Sequence, residues 1–168
     1  DARLALEVFR GNIELPADDF KHARARMETP TSRVALGIAL RGIATSCIDI
    51  SDGMVGDLGH ILRASNCGAQ LDTEIAINLI AVQAINTRDM GQFYIKNALK
   101  YVLAGGDDYE LLFTAPSNQR QAVLAAASSA DTKITRIGQI QAEAGLRLVD
   151  ANGHMVPNDF ASFDHFQS

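Results

Sequence analysis

The chain has 168 residues, of which 47% are hydrophobic and 21% are charged, and its formal net charge is -5. This composition excludes a disordered or fibrous chain and is typical of one globular domain. The acidic balance, with no cluster of Lys and Arg, argues against a nucleic-acid partner. No apolar run approaches the roughly 20 residues of a membrane helix, and no signal peptide is visible. Two cysteines, Cys47 and Cys67, are too few for a disulfide scaffold and favour a reducing cytoplasm.

The beginning of the chain has a helical pattern. Apolar residues between Leu4 and Phe9 predict a helix that is already under way at Asp1 and that ends at Gly11. A polar stretch follows from Asn12 to Ala25. Because no initiator Met precedes the helix, we expect a piece of a longer protein, with only part of an active site.

The middle of the chain alternates between helices and strands. The apolar spacing over 34–40 predicts a helix capped by Thr31 or Ser32, and the β-branched run 43–50 predicts a buried strand. A second helix begins at Ser51 or Asp52 and ends near residue 66. The pattern over 70–77 indicates a strand followed by a loop.

A similar alternation continues to the C-terminus. Apolar spacing over 90–102 predicts a helix closed by two glycines, and an Ala-rich helix runs over 116–130. Further strands are predicted over 109–115, 134–140 and 146–149, the last one followed by a turn at 150–153. This mixture indicates an α+β fold, a layered sandwich of helices on a mostly antiparallel sheet.

One short motif, Asp49-Ile50-Ser51-Asp52-Gly53, places two carboxylates where an apolar segment meets the start of a helix. Mg²⁺ prefers oxygen ligands, usually one or two carboxylates together with phosphate oxygens and water. The helix N-terminus adds free N–H groups that favour anions. The motif therefore indicates a contact with a metal and a polyphosphate. The alternative is that Ser51 or Asp52 only caps the helix while Asp49 is solvated.

A second motif, Gly105-Gly106-Asp107-Asp108-Tyr109-Glu110, holds three acids in four positions. Carboxylates this close repel each other unless a cation or hydrogen-bond donors neutralise them. The loop could therefore bind a cationic ligand group, a metal or the donors of a substrate. The alternative is a solvated glycine turn before a strand.

The remaining candidates are weaker. Aromatic rings near the C-terminus, Phe163 among them, either pack on the core or stack on a flat ligand. Three histidines have no Cys or His partner at zinc-site spacing: His22, His60 and His154. The sequence has no Lys-bearing phosphate loop, no dinucleotide-binding glycine motif and no serine nucleophile elbow. A nucleotide would therefore be bound through acids and metal.

Three runs in this order closely resemble thiamine-monophosphate kinases: Ile48–Met54, Gly105–Phe113 and Phe163–Phe166. The first run alone is shared by a wider superfamily that includes aminoimidazole-ribonucleotide synthetase, selenophosphate synthetase and a hydrogenase-maturation protein. The resemblance extends from about Arg33 to the C-terminus, with Asp107 where the family usually has Glu.

The resemblance implies an enzyme that uses ATP and Mg²⁺ to phosphorylate thiamine monophosphate to thiamine diphosphate. Asp49 and Asp52 would be Mg²⁺ ligands, Ser51 an ATP contact, and Asp107 and Phe163 contacts to the thiamine substrate. Residues 1–168 would be the C-terminal α+β domain, in which 1–30 connect to an N-terminal domain outside this chain. That N-terminal domain would form a homodimer, and the fragment alone would be inactive.

Because no residue in these motifs resembles a covalent nucleophile, we expect direct in-line phosphoryl transfer. Two alternatives remain open at this point. The chain could be half of another ATP-dependent synthetase of the superfamily, or a non-catalytic nucleotide-binding domain.

Overall fold

The computed structural model describes residues 1–80 and 98–160. The helices are α1 (Ala2–Phe9), α2 (Ala17–Glu28), α3 (Val34–Ala39), α4 (Met54–Ser65), α5 (Thr73–Ile77), α6 (98–103 in the described part) and α7 (Arg120–Ser129), which a 3₁₀ turn at Ser117–Gln119 precedes. The strands are β1 (Ser46–Asp49), β2 (Gly68–Asp72), β3 (Leu111–Thr114), β4 (Gly138–Gln141), β5 (Gly145–Val149) and β6 (Met155–Val156).

These strands form two sheets. β1 pairs antiparallel with β3, with Asp49 opposite Leu111. The other sheet has the order β4-β2-β5-β6, in which β2 and β5 are parallel and the remaining pairs are antiparallel. The predicted α+β class with a mostly antiparallel sheet is confirmed for the described residues.

The main hydrophobic core lies between α1, α4, α6 and strands of both sheets. Leu4, Leu103 and Leu148 are at most 1% exposed and belong to this core, together with Met54 and Leu58 of α4. A smaller cluster joins α3 to α7. Because α4 packs its apolar face into the main core, its N-terminus is held at the end of β1, where the first acidic motif lies.

The N-terminal residues contribute to the same core. α1 buries Leu4 and Ala5 there, and α2 packs against α1, with the rings of Phe9 and Phe20 in edge-to-face contact at 5.2 Å. α2 occupies most of the stretch that the sequence analysis described only as polar. This helix has no apolar pattern in the sequence because Ala23 is its one fully buried residue. The division at residue 30 between a connecting segment and the domain stays a prediction.

Several element boundaries differ from the sequence-based expectations. Helix α3 has no side-chain cap, so the predicted cap by Thr31 or Ser32 is wrong. The expected loop after β2 is the short helix α5, because the carboxylate of Asp72 accepts a hydrogen bond from the N–H of Ile75 at 3.0 Å. The predicted helix over 90–102 lies partly outside the described residues, and its described end is helical to residue 103.

Candidate active site

The structure brings the two acidic motifs together through backbone hydrogen bonds. The N–H of Ile50 donates to the carbonyl oxygen of Glu110 at 2.8 Å, and the N–H of Tyr109 donates to that of Ile50 at 3.0 Å. The N–H of Asp107 donates to the carbonyl oxygen of Ser51, also at 3.0 Å. These bonds continue the β1–β3 pairing beyond the strand ends, so the two motifs lie side by side.

Two glycines allow this close approach. A Cβ atom on Gly106 would lie 2.2 Å from the carbonyl oxygen of Ser51, a distance that real side chains essentially never show. Gly53 has a φ of 112°, and a Cβ there would lie 3.0 Å from the carbonyl carbon of Ala104. Only glycine can occupy these two positions without displacing the neighbouring backbone.

The first motif presents its acids at the start of α4. Asp49 ends β1 and is exposed, while Ser51 and Asp52 are half-buried. The N-cap residue of α4 is Gly53, with no side-chain cap. The alternative in which Ser51 or Asp52 caps this helix is therefore wrong, and the metal assignment of Asp49 and Asp52 stays a prediction.

A third carboxylate, that of Asp57, lies behind this motif. Asp57 is only 2% exposed, and its Oδ2 accepts hydrogen bonds from the backbone N–H groups of Ser51 at 3.1 Å and Asp52 at 3.3 Å. Burial raises the pKa of Asp57, and the negative charges of Asp52 and Asp49 act in the same direction, whereas the two N–H groups oppose them. Sequence reasoning assigned Asp57 no role, although its position four residues after the N-cap of α4 was a usable signal.

The acids of the second motif point in different directions. Asp107 is exposed and has a φ of 65°, and the hydroxyl of the exposed Tyr109 donates to its Oδ1 at 3.5 Å. Asp108 instead turns toward α1, where its Oδ1 accepts the N–H of Ala2 at 3.0 Å. The three acids of this motif are thus divided, and Asp107 is the one that is exposed.

Glu110 is held by two arginines from the N-terminal part of the chain. The guanidinium of Arg33 donates two hydrogen bonds to its carboxylate, at 2.7 and 2.8 Å, and Arg26 of α2 pairs with the same group. Burial by itself would raise the pKa of Glu110, but the hydrogen bonds from Arg33 and Arg26 outweigh it and hold the pKa below its usual value. This ion pair anchors the base of the Asp107 loop.

Comparison with known proteins identifies the domain. The sequence pattern of the family described as AIR synthase related protein, C-terminal domain, matches residues 6–151. The chain belongs to this family.

Curated relatives specify the resemblance further. This AIR synthase related domain is 38% identical, over 168 residues, to the thiamine-monophosphate kinase of Salmonella typhimurium, and the alignment covers 99% of the chain and 49% of the relative. The predicted resemblance to thiamine-monophosphate kinases is confirmed. The chain spans about half the length of the curated relatives that it matches.

Solved structures agree with the fold. The crystal structure of thiamine-monophosphate kinase from Stenotrophomonas maltophilia K279a is 34% identical, with a TM-score of 0.72 over 92% of this chain and 48% of that one. AaThiL complexed with AMPPCP and TMP is 24% identical, with a TM-score of 0.71 over 98% of this chain and 48% of that one. The latter likeness concerns the fold alone.

Among the described residues of the AIR synthase related domain, no helix is long and apolar enough to cross a membrane.

The acids of the first motif suit a hard divalent cation. Asp49 and Asp52 both lie near enough to Asp57 to raise its pKa, so negative charge is concentrated at this end of α4. Within residues 1–80 and 98–160, no group of three His, Cys, Asp or Glu side chains could hold a metal ion. Two carboxylates would therefore need phosphate oxygens, water or ligands from elsewhere to complete the coordination, which is the usual arrangement for Mg²⁺.

Two surface hollows in the described part lie away from this site. One, of about 240 Å³, is lined by Asp72 and Arg136 among others, and another, of about 200 Å³, lies between α3 and β1. Neither includes the acids of the two motifs. Proteins commonly bind phosphates at open helix N-termini such as that of α4, where the first motif lies. Phe163 lies outside the described residues.

Proposed function

We propose that the chain is the C-terminal half of a kinase that transfers a phosphoryl group from ATP to thiamine monophosphate with the help of Mg²⁺. The observation that carries the proposal is the 38% identity to a curated thiamine-monophosphate kinase over 99% of the chain. AaThiL, which shares the fold of this chain, is complexed with AMPPCP and TMP, and the proposal takes a nucleotide and thiamine monophosphate as the two ligands.

The nucleotide side of the site would be the first motif. Asp49 and Asp52 would hold Mg²⁺, which when bound neutralises charge on the phosphoryl oxygens. The first turn of α4 has no side-chain cap, so its N–H groups can donate to phosphate oxygens, with Ser51 beside them. The residues thus bring a cation and N–H donors to one place, as the approach of two phosphorylated substrates requires.

The thiamine side would be the second motif. The thiazolium ring of thiamine is cationic, and the exposed carboxylate of Asp107 offers it a negative partner. Three expectations remain predictions. They are a contact between the ring of Phe163 and that substrate, a homodimer formed through an N-terminal domain, and a cytoplasmic location. Since the motifs place no nucleophile at the site, we propose direct in-line transfer, which would invert the configuration of a chiral phosphorothioate.

The test uses the intact enzyme of which this chain is a part. Asp49→Ala and Asp52→Ala should each lower the rate of thiamine diphosphate formation by more than the roughly 10–100-fold typical of groups outside the coordination shell. Asp18→Ala, which removes an exposed carboxylate at the start of α2, is the matched control and should keep the wild-type rate.

Two outcomes would contradict the proposal. Wild-type rates in both Asp49→Ala and Asp52→Ala would refute the metal assignment. An intact enzyme that consumes ATP with another substrate but not with thiamine monophosphate would favour a synthetase of the same superfamily.

We also expect the isolated chain to be nearly inactive, and substantial turnover by residues 1–168 would show that it carries a complete site.

A further inference from the structure

The buried carboxylate of Asp57 has no part in the function proposed above, yet it is the side chain that holds the metal-binding motif. Its Oδ2 accepts hydrogen bonds from two consecutive backbone N–H groups, those of Ser51 and Asp52. These N–H groups belong to the peptide units between Asp49 and the start of α4. One atom of a buried side chain therefore fixes the segment that connects the two acids.

The rigidity of this anchor comes from α4. The N–H of Asp57 donates to the carbonyl oxygen of Gly53 at 3.0 Å, so Asp57 lies in the first turn of the helix. Its neighbour in the chain, Leu58, is 3% exposed and belongs to the main core. A carboxylate fixed to a packed helix can hold a loop in one position, whereas a loop bonded only to water cannot.

Burying this charge costs free energy that a merely structural role would avoid. Asp57 is only 2% exposed, and the described hydrogen bonds to its carboxylate come from two backbone N–H groups and not from a cationic side chain. An apolar side chain of similar volume would avoid this cost, but it would leave the N–H groups of Ser51 and Asp52 without this acceptor. The two backbone N–H groups that its oxygen accepts therefore explain the acid at this position better than a gain in the free energy of unfolding does.

We propose that Asp57 is a positioning residue, whose carboxylate holds the backbone of Ser51 and Asp52 so that Asp49 and Asp52 present their oxygens to one divalent cation. This inference rests on the metal assignment in the proposed function. Groups that orient metal ligands from outside the coordination shell typically contribute about 10–100-fold to metal affinity.

The experiment measures Mn²⁺ binding to the intact enzyme by electron paramagnetic resonance, with no nucleotide or thiamine monophosphate present. Asp57→Leu fills the buried volume but cannot accept the two hydrogen bonds, and it should weaken Mn²⁺ binding by about 10–100-fold. Asp57→Asn keeps an acceptor oxygen and should lose less than about tenfold. Melting temperatures of both variants show that the protein remains folded, and Asp57→Ala replaces Asp57→Leu if the latter unfolds.

Asp72→Ala is the matched control, because Asp72 also accepts a backbone N–H but does so at α5. It should bind Mn²⁺ as the wild type does. Wild-type Mn²⁺ affinity in Asp57→Leu, or equal losses in Asp57→Leu and Asp57→Asn, would overturn the positioning role. An enzyme whose Mn²⁺ affinity depends on Asp57, but which does not phosphorylate thiamine monophosphate, would support this inference and refute the proposed substrate.

Discussion

Replacing Gly106 by alanine tests whether the two acidic motifs form one site. The added Cβ would lie 2.2 Å from the carbonyl oxygen of Ser51, and distances below 3.0 Å essentially never occur, so the two loops must separate. The hydrogen bonds that join Asp107 to Ser51 and Tyr109 to Ile50, both 3.0 Å long, would be lost or stretched. At about 1 kcal/mol for each bond, we expect a loss of about 2 kcal/mol in the free energy of unfolding. Overpacking by one methyl group typically costs about 1–3 kcal/mol, which agrees.

Urea denaturation followed by circular dichroism measures this loss. With a denaturant slope of about 2 kcal/mol/M, the midpoint of Gly106→Ala should fall by about 1 M. The matched control is Gly37→Ala in α3, where a Cβ would meet only the side chain of Leu111, at an ordinary 3.7 Å. Alanine is the better helix former by about 0.5–1 kcal/mol, so this variant should be stabilised.

Amide hydrogen exchange localises the effect. In Gly106→Ala the amides of Asp107 and Tyr109 should exchange faster than in the wild type, because their acceptors move away. The reasoning would be refuted by an unchanged midpoint together with unchanged protection of these two amides. The loops would then tolerate a side chain that the described geometry excludes.

Two further predictions concern charge and packing. Glu110→Gln should lower the free energy of unfolding by about 1 kcal/mol at pH 7. Because the folded-state pKa of Glu110 lies below its ordinary value of 4.5, its contribution is present above pH 4.5 and disappears as the pH falls through the folded-state pKa. Denaturation curves of the variant and the wild type should therefore converge in acid, and a constant difference would argue against an ion pair with Arg33. Leu148→Ala removes a side chain with 0% exposure and should cost about 2–5 kcal/mol in thermal or urea denaturation, whereas Ile140→Ala, at 44% exposure, should cost much less. Equal losses in these two variants would contradict the described core.

Local patterns predicted the regular elements where burial is one-sided. The apolar face of α4 was readable from its helical period, and the runs that contain β1 and β3 were readable as short apolar segments. The prediction of a buried strand over 43–50 was wrong, because β1 covers only Ser46–Asp49 and has Cys47 and Asp49 exposed. The polar sequence of α2 gave no such signal, because this helix lies on α1 and buries only Ala23 completely. The cap of α3 was also missed, because the N-cap residue is Arg33, so that Thr31 and Ser32 both lie before the cap position.

The candidate site was predictable as two motifs but not as one arrangement. The sequence determined that carboxylates stand beside glycines at Asp49–Gly53 and at Gly105–Glu110, because those residue types are local facts. Only the tertiary structure decided that Asp108 turns to α1 and that Glu110 is bound by Arg33. These partners lie up to 106 residues apart along the chain, and their contact follows from how the sheets and helices pack. Periodicity and composition carry no information about contacts that form only when distant segments meet.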